Sequence, residues 1–268
     1  AAAENGVELR FTASAGGGIP WLYNLRRAMR CDEINEVSGI VNGTTNYILD
    51  AMESAGEGYD EALRRAQELG FAEADPTADV NGFDAQRKCA ISASIAFGAV
   101  VEESMVLTEG IQHFGSEAAQ AAQTLPETKD RVVKLLMHSG REGDGIYAYV
   151  APALVRRDSL EANVPSNYNL ITLNAKYAGV QSYFGQGAGK DPTGTSVVQD
   201  VLDIASGSHS RSGHVRRADV RNDSVIRDFL VFDGRGAHVE HTSVSEMFIR
   251  ARAARESGTS LFFGEIAV

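Results

Sequence analysis

The sequence has few of the residues that mark disulfide-rich, membrane-embedded or nucleic-acid-binding proteins. Its 268 residues include two cysteines, Cys31 and Cys89, too few for a disulfide framework and without the spacing of a zinc site. No run approaches the ~18 uninterrupted apolar residues of a transmembrane helix. Lysine and arginine number 25 against 36 aspartates and glutamates, and the net charge of −11 argues against nucleic acid or an anionic membrane as the main partner.

The first residues also lack the basic start and apolar core of a secretory signal peptide. Together with the low cysteine content, this favours a cytoplasmic protein. The opening six residues indicate the end of a helix stopped by Gly6, so we expect a further segment upstream. Hydrophobic residues make up 43% and charged residues 23%, which is typical of a globular protein of one large or two modest domains.

Hydrophobic periodicity and turn residues predict alternating helices and strands. The predicted strands cover 7–14, 34–40, 146–152, 180–184, 229–232 and 261–266, and the predicted helices cover 21–29, 47–54, 59–70, 84–97, 192–204 and 243–257. Residues 130–138 fit either a strand or a helix. The polar residues 206–224 indicate an exposed or mobile linker, and the strand–helix–strand pattern after them is suited to rebuilding a sheet edge.

The most informative stretch is acidic and covers residues 68–88. It contains Glu73, Asp75, Asp79 and Asp84, and it ends at Lys88, four residues after Asp84. If Asp84 opens a helix, its carboxylate and the Lys88 ammonium lie on one face, one turn apart. Such a pair in a cleft can hold a polar substrate and move a proton. On this stretch alone, a solvated loop with an ordinary helical ion pair is an equal alternative.

Three more segments are candidate sites, each with a structural alternative. The glycine turn at 15–20 brings the backbone close to a substrate, a phosphate or a cation, or forms a tight strand-to-helix turn. The amides and hydroxyls at 42–46 cap a helix or hold a polar substrate. The glycines at 185–189 are only a partial dinucleotide fingerprint before a helix. The six histidines are scattered, and His138, in an apolar segment, is interpreted as structural.

Taken together, these segments resemble homoserine dehydrogenases. The matching motifs are G-G-G-I-P at 16–20, G-I-V-N-G-T-T-N-Y-I-L at 39–49, A-Q-E-L-G-F-A-E-A-D-P-T-A-D-V-N-G-F-D-A-Q-R-K at 66–88, V-A-P-A-L-V at 150–155 and F-G-Q-G-A-G-K-D-P-T at 184–193. The resemblance covers about residues 1–205. It implies an oxidoreductase of amino-acid biosynthesis, on the threonine and methionine route, that interconverts homoserine and aspartate semialdehyde with NAD or NADP.

The resemblance also implies roles for individual residues. The catalytic residues would be Lys88, for proton transfer, and Asp84; the substrate-binding residues Glu73, Asp79, Asn42, Gly43 and Thr44; the cofactor-binding residues Gly187 and Gly189; and the main-chain ligands of a monovalent cation Ala15, Gly17 and Ile19.

The sequence departs from the family pattern in three places. The family carries a nucleotide-binding Rossmann domain before the position that matches Ala1, and neither this domain nor its loop that distinguishes NAD from NADP lies within these 268 residues. Thr12 stands where the family usually has a glutamate ligand of the cation, which weakens the expectation of a bound cation. The tail from about residue 206 does not resemble the family's regulatory domain.

We therefore expect an α+β fold, with a mixed sheet carrying helices on one face and a remnant α/β segment of the nucleotide domain. Residues 1–178 would form the catalytic and dimerisation domain, 179–205 would contact the cofactor domain, and 206–268 would be a tail of unknown role. The family resemblance implies a homodimer through the sheet. Three hypotheses stay open: a homoserine dehydrogenase whose cofactor domain is separate, a non-catalytic amino-acid-binding or dimerising module, and a relative acting on another amino-acid-like substrate.

Overall fold

A computed structural model describes residue 2, residues 5–207 and residues 216–267. The helices are α1 (Trp21–Ala28), α2 (Gly43–Ala55), α3 (Tyr59–Glu68), α4 (Thr77–Val80), α5 (Phe83–Phe97), α6 (Ser116–Ala121), α7 (Lys190–Ala205) and α8 (Val244–Glu256). The strands are β1 (Ile34–Ile40), β2 (Ala99–Val100), β3 (Leu107–Thr108), β4 (Arg131–Glu142), β5 (Gly145–Arg156), β6 (Tyr168–Ala175), β7 (Gly179–Gln186), β8 (Arg216–Arg217), β9 (Ile226–Asp233), β10 (Gly236–Ser243) and β11 (Phe262–Ile266).

One mixed sheet dominates the part of the chain that the structure describes. Its strand order is β10–β9–β11–β5–β4–β1–β6–β7, and β3 pairs with β5 as well. The pairs that β5 makes with β3 and β11 are parallel, and the other pairs of this sheet are antiparallel. This confirms the predicted α+β fold with a mixed sheet.

The two faces of the sheet carry different helices because side chains alternate along a strand. In β5, Ile146, Ala148 and Val150 join the main core, which contains the apolar residues of α1, α2 and α5. Tyr147 and Tyr149 point to the opposite face and pack against α8. Helices therefore cover one face of the sheet, as predicted, and α8 covers part of the other.

Helix α5 is buried deeply because its side chains are small. Ala85, Cys89, Ala90, Ser92, Ala93 and Ala96 are all buried. The glycines before and after the helix, Gly82 and Gly98, have φ values of +81° and +62°, which suit glycine at helix boundaries. The helix packs on β4 and β5. Its first two turns, which carry Asp84 and Lys88, therefore have a fixed position relative to the sheet.

The tail rebuilds one edge of the sheet, as the sequence predicted. β9, β10 and β11 extend the sheet beyond β5, and α8 packs on them. The predicted linker at 206–224 is described only in part, because 208–215 lie outside the described residues. Within it, β8 pairs with β2. The predicted boundary at residue 178 falls in the turn between β6 and β7, which pair along their length.

The predicted strand at 7–14 is wrong. Residues 7–11 have no regular structure, and Thr12–Ser14 forms a turn of 3₁₀ helix. The reason is a buried carboxylate: Asp200 of α7 accepts hydrogen bonds from the Thr12 amide, at 2.9 Å, and from the Thr12 hydroxyl. The chain folds around this group rather than pairing with a strand. The ambiguous segment 130–138 lies in β4, whereas β6 and β10 were not predicted.

Candidate active site

Most of the predicted catalytic, substrate-binding and cofactor-binding residues line one cavity of about 430 Å³. It lies where the N-terminal ends of α2, α5 and α7 converge, so loops far apart in the sequence share its wall. The lining residues are Asn42, Gly43, Thr44, Leu69, Gly70, Phe71, Asp79, Asp84, Lys88, Asn167, Gln186, Gly187, Ala188 and Gly189.

Lys88 and Asp84 form the ion pair that their spacing on α5 predicts. The Lys88 Nζ lies 2.7 Å from Asp84 Oδ2 and donates a second hydrogen bond to the Val41 carbonyl oxygen, at 2.8 Å. The Lys88 side chain is 15% exposed and that of Asp84 is 30% exposed, so the pair is partly shielded from water. An ammonium has three N–H donors. These two bonds leave one for a ligand in the cavity.

Asn42 connects the two carboxylates of the cavity. Its Nδ2 donates to Asp79 Oδ1 at 2.7 Å and to Asp84 Oδ2 at 2.8 Å. Its Oδ1 accepts from the Thr45 amide at 2.8 Å and caps α2. Capping, one of the two interpretations of this segment, is therefore observed, and the same buried side chain lines the cavity, where substrate binding stays a prediction. The Thr44 hydroxyl is bonded to the Phe71 carbonyl oxygen at 2.6 Å.

The glycine loop before α7 forms another part of the wall. Gly187 is enclosed on two sides, because a Cβ atom there would lie 1.8 Å from Asn169 Nδ2, and a Cβ atom on Gly17 would lie 2.4 Å from the Gly187 carbonyl oxygen. The Gly18 amide donates to the Gln186 carbonyl oxygen at 3.1 Å. The predicted glycine turn therefore supports the predicted cofactor loop, and the close backbone contact explains why both are rich in glycine.

Two groups of predicted site residues do not line the cavity. The Glu73 side chain is exposed and is not part of the cavity wall, so its role in substrate binding stays a prediction. Ala15, Gly17 and Ile19 lie in the buried turn, but the Gly17 carbonyl oxygen accepts from the Ser196 hydroxyl at 2.7 Å, and that of Ile19 accepts from the Trp21 amide. Among the described residues, no cluster of three or more His, Cys, Asp or Glu side chains is suited to a metal ion.

Comparison with known proteins agrees with this geometry. The family model for homoserine dehydrogenase matches residues 20–202. This chain belongs to the homoserine dehydrogenase family. The homoserine dehydrogenase of Corynebacterium glutamicum is 43% identical over 200 residues, which cover 74% of this chain and 45% of that protein. The enzyme of the same name from Bacillus subtilis is 39% identical over 203 residues, covering 76% and 46%.

Solved structures of family members show the same fold. A homoserine dehydrogenase from Thiobacillus denitrificans superposes with a TM-score of 0.82 at 28% identity, over 99% of this chain and 72% of that one. A putative homoserine dehydrogenase from Archaeoglobus fulgidus has a TM-score of 0.68 at 35% identity, over 76% and 60%. The chain spans about half the length of the curated homoserine dehydrogenases that it matches.

Several groups of this family member's site were not predicted from its sequence. The Val41 carbonyl oxygen holds Lys88, and Asn167, Gln186 and Phe71 line the cavity. The role of a main-chain carbonyl group cannot be recognised from residue types. Asn167 comes from a loop that lies far from the acidic stretch in the sequence. No helix in the described part of the chain is long and apolar enough to cross a bilayer.

Proposed function

We propose that this chain carries the substrate-binding and proton-transfer part of an NAD(P)-dependent homoserine dehydrogenase, which interconverts L-homoserine and L-aspartate 4-semialdehyde. One observation carries the proposal. The Lys88 ammonium, held between Asp84 and the Val41 carbonyl, lies in the wall of a cavity that also includes the glycine loop before α7. A proton-transfer group and a loop suited to close contact with a planar ligand therefore share one space.

Lys88 is suited to move the hydroxyl proton of the substrate. During reduction of the aldehyde, the ammonium donates a proton to the carbonyl oxygen, which becomes the hydroxyl of homoserine. During oxidation, the neutral amine accepts that proton. Asp84 orients the Nζ atom, because the two groups lie 2.7 Å apart.

The remaining charge of the cavity suits an amino-acid substrate. Asp79 and Asp84 supply two carboxylates against the one ammonium of Lys88. This excess negative charge attracts the α-ammonium of homoserine. Because Lys88 pairs with Asp84, Asp79 is the carboxylate that remains for the substrate. Asn42 holds Asp79 in place through its Nδ2. We keep Gly43, Thr44 and Glu73 as further substrate contacts.

The glycine loop fits a nicotinamide cofactor. Gly187, Ala188 and Gly189 present main chain and a single methyl group to the cavity, which leaves room for a flat ring next to Lys88. A bound nicotinamide would supply the hydride chemistry at the carbinol carbon. The protein's contribution is to hold that carbon beside both the loop and the Lys88 ammonium.

The monovalent cation that the family resemblance implies does not fit as well. Thr12 has no carboxylate, its hydroxyl and amide are both bonded to Asp200, and the Gly17 and Ile19 carbonyl oxygens already accept hydrogen bonds. The mechanism therefore includes no step through a cation.

Two exposed apolar surfaces support the proposed partners. On α7, Val197, Val201 and Leu202 are 50–59% exposed at helical spacing, and we assign this stripe to the nucleotide-binding domain, on this chain or another. On β7, Val180 and Phe184 are 66% and 55% exposed, and we assign this sheet face to a homodimer. The free cysteines Cys31 and Cys89 support the cytoplasm as the compartment.

The experiment is turnover of homoserine with NAD or NADP, with the nucleotide-binding domain of an intact relative supplied separately. We expect turnover in wild type and a loss of about 10²-fold or more in Lys88→Ala, since a positioned proton-transfer group contributes about that much. Lys176→Ala is the control, because Lys176 is an exposed lysine paired with Glu33 at 3.3 Å, outside the cavity.

Equal rates for Lys88→Ala and wild type would remove Lys88 from the mechanism. No turnover in wild type, while homoserine still binds in calorimetry, would favour the non-catalytic amino-acid-binding module. Turnover of another amino alcohol in place of homoserine would favour a relative with a different substrate.

A further inference from the structure

Residues 107–111 form a short segment that contacts both the tail beyond residue 205 and the residues next to Asp79. This segment begins as β3, paired with β5, and continues the pairing through the Glu109 amide, which donates to the Val150 carbonyl oxygen at 2.9 Å. It lies between α8 of the tail and the stretch that runs from α4, which carries Asp79, to α5. The family match ends at residue 202, so α8 lies outside it.

The segment presents alternate side chains to its two neighbours, as a strand does. Leu107 packs on the apolar cluster formed with α8, and Glu109 is paired with Arg255 of α8, whose Nη1 lies 2.6 Å from Glu109 Oε2. Thr108 and Gly110 lie on the opposite side of the segment, towards Gly82 at the start of α5. A Cβ atom on Gly82 would lie 3.0 Å from the Thr108 methyl carbon and 3.6 Å from Gly110 Cα.

The contact with α4, which carries Asp79, is made by main chain. The Ile111 amide donates to the Val80 carbonyl oxygen at 2.7 Å. A Cβ atom on Gly110 would lie 2.1 Å from the same oxygen, so only glycine allows the two backbones to approach this closely. A shift of the segment therefore moves Val80, and with it Asp79 on one side and the start of α5 on the other.

Charge and burial fix the segment on its other side. The Glu109 side chain is 8% exposed and that of Arg255 is 34% exposed. Burial raises the pKa of Glu109, and the Arg255 guanidinium counteracts this by favouring the carboxylate. Removing Arg255 leaves a buried carboxylate without its strongest partner, which favours movement of Glu109 towards water.

We propose that Arg255 is a positioning residue of the active site: through Glu109 it fixes residues 107–111, and these fix Asp79 and Asp84 at the cavity. This gives the tail a role in substrate binding. The proposal rests on the proposed function for its kinetic consequence, but its structural consequence is independent of any activity.

The test compares two arginines of α8. Arg255→Met removes the pair with Glu109, and Arg250→Met removes a pair with Glu240 of β10, which has no contact with residues 107–111 among the hydrogen bonds of the described residues. Arg255→Lys retains the charge. Hydrogen exchange is followed at the amides of Ile111 and of Gln86, which donates to the Gly82 carbonyl oxygen at 2.8 Å. Kinetics are measured with the nucleotide-binding domain supplied.

For Arg255→Met we expect exchange at Ile111 and Gln86 to accelerate by about tenfold, as local opening becomes easier. The KM for homoserine should rise by about five- to tenfold with the KM for the cofactor unchanged, because the glycine loop is not touched. Arg255→Lys should recover part of both effects. Arg250→Met should leave exchange and both KM values as in wild type. Simple destabilisation would instead lower kcat through the active fraction.

Wild-type exchange and wild-type KM in Arg255→Met, or equal effects in Arg250→Met, would overturn the proposal. If Arg255→Met does not fold, Glu109→Gln decides, since it breaks the ion pair without leaving a buried charge, and it should shift the same amides and the same KM. If wild type does not turn over homoserine, the proposed function fails while the exchange data still decide the role of Arg255.

Discussion

Asn42 is the residue on which the organisation of the cavity depends. It is 5% exposed, its Oδ1 caps α2, and its Nδ2 donates to both Asp79 and Asp84. Two carboxylates can lie this close because an amide donor is placed between them. A side chain that accepts at the cap and donates to both carboxylates has to be an amide, since a serine hydroxyl has one donor and an aspartate carboxylate has none.

Asn42→Asp should therefore destabilise the protein in a pH-dependent way. The cap acceptor remains, but a third carboxylate replaces the donor, and repulsion by its neighbours raises the pKa of the introduced carboxyl in the folded state. A raised folded pKa gives stability that is present at low pH and lost as pH rises. We expect a loss of about 1–3 kcal/mol at pH 7 that shrinks towards pH 4, measured by urea unfolding.

Asn42→Ser is the matched control for this experiment, since it keeps a cap acceptor and adds no charge. It should cost less at pH 7 than Asn42→Asp and change less with pH, because it weakens the donor without adding a third carboxylate. A loss in Asn42→Asp that does not change with pH would show that the carboxylates tolerate a third charge, and that Nδ2 is not what holds them together.

Gly187 is a second residue that determines the geometry of the cavity, because there is no room for a Cβ atom at its position. A Cβ atom there would overlap Asn169 Nδ2, at 1.8 Å. Gly187→Ala should displace the loop and lower the free energy of unfolding by about 1–3 kcal/mol. Gly194→Ala, inside α7 with no atom within 4 Å of its Cβ position, should instead raise it by about 0.5–1 kcal/mol. Thermal unfolding of both variants checks the pair, and a stable Gly187→Ala variant with an unchanged loop would contradict the crowding.

At the scale of elements, the helices followed from the sequence better than the strands. α3 and α5 could be predicted because periodicity, a glycine at the end and helical spacing agree. β6 was missed because its pattern of Leu, Thr and Asn gives no clear alternation, and its burial comes from β1 and β7 on either side. The strand at 7–14 was wrong because a carboxylate 188 residues away determines the fold of Thr12.

The sheet contains a partly buried charged network that joins the tail to β1, β4 and β5. His138 of β4 lies 3.8 Å from Glu36 of β1 and 3.7 Å from Glu265 of β11. Arg227 of β9 is 3.3 Å from the Glu265 carboxylate. Tyr149 of β5 stacks on the histidine and donates to Glu265 at 2.8 Å, and Tyr147 of β5 also faces the network, next to Glu36. His138 is buried within this network, and its structural role stays a prediction.

The network makes stability depend on pH. Burial lowers the pKa of His138, but the Glu265 and Glu36 carboxylates outweigh burial and raise it above the ordinary value. The stabilisation is thus complete below the unfolded pKa of about 6.5 and is lost as pH rises through the raised folded pKa. Between these two values the free energy of unfolding should fall by up to about 1.4 kcal/mol per pH unit.

Urea unfolding between pH 6 and pH 8 measures this slope. His138→Gln should flatten it, whereas a variant at the exposed His241, paired with Asp228 of β9, should keep it. An identical slope in His138→Gln would assign the pH dependence to other groups.

At the scale of the whole molecule, the residues of the site could be predicted from the sequence better than the way in which the elements that carry them come together. The spacing of Asp84 and Lys88 on one helix defined the ion pair, and the motifs gave Asn42 and the glycine loop. The second hydrogen bond to Lys88 comes from the main chain of Val41, and Asn167 reaches the cavity from the loop before β6. Contacts of this kind depend on the arrangement of the sheet, which leaves no local pattern in the sequence.

The two apolar surfaces of the molecule should bind different partners, and this can be tested with two matched double variants. Val197→Glu with Val201→Glu places two charges on the α7 stripe, and Val180→Glu with Phe184→Glu places two on the face of β7. All four residues are about half exposed or more, so neither pair disturbs the core. Charges buried without partners in an interface weaken association strongly, by about tenfold or more in Kd.

The first pair should lower affinity for an added nucleotide-binding domain and leave the proposed homodimer intact, and the second pair should do the reverse. Sedimentation velocity reports the dimer, and titration with the labelled domain reports the other contact. If both double variants weakened the same association, a single binding surface would include both α7 and β7. If the β7 pair left a wild-type dimer, the sheet face would not be the dimer contact, and the α7 stripe would become the next surface to test for it.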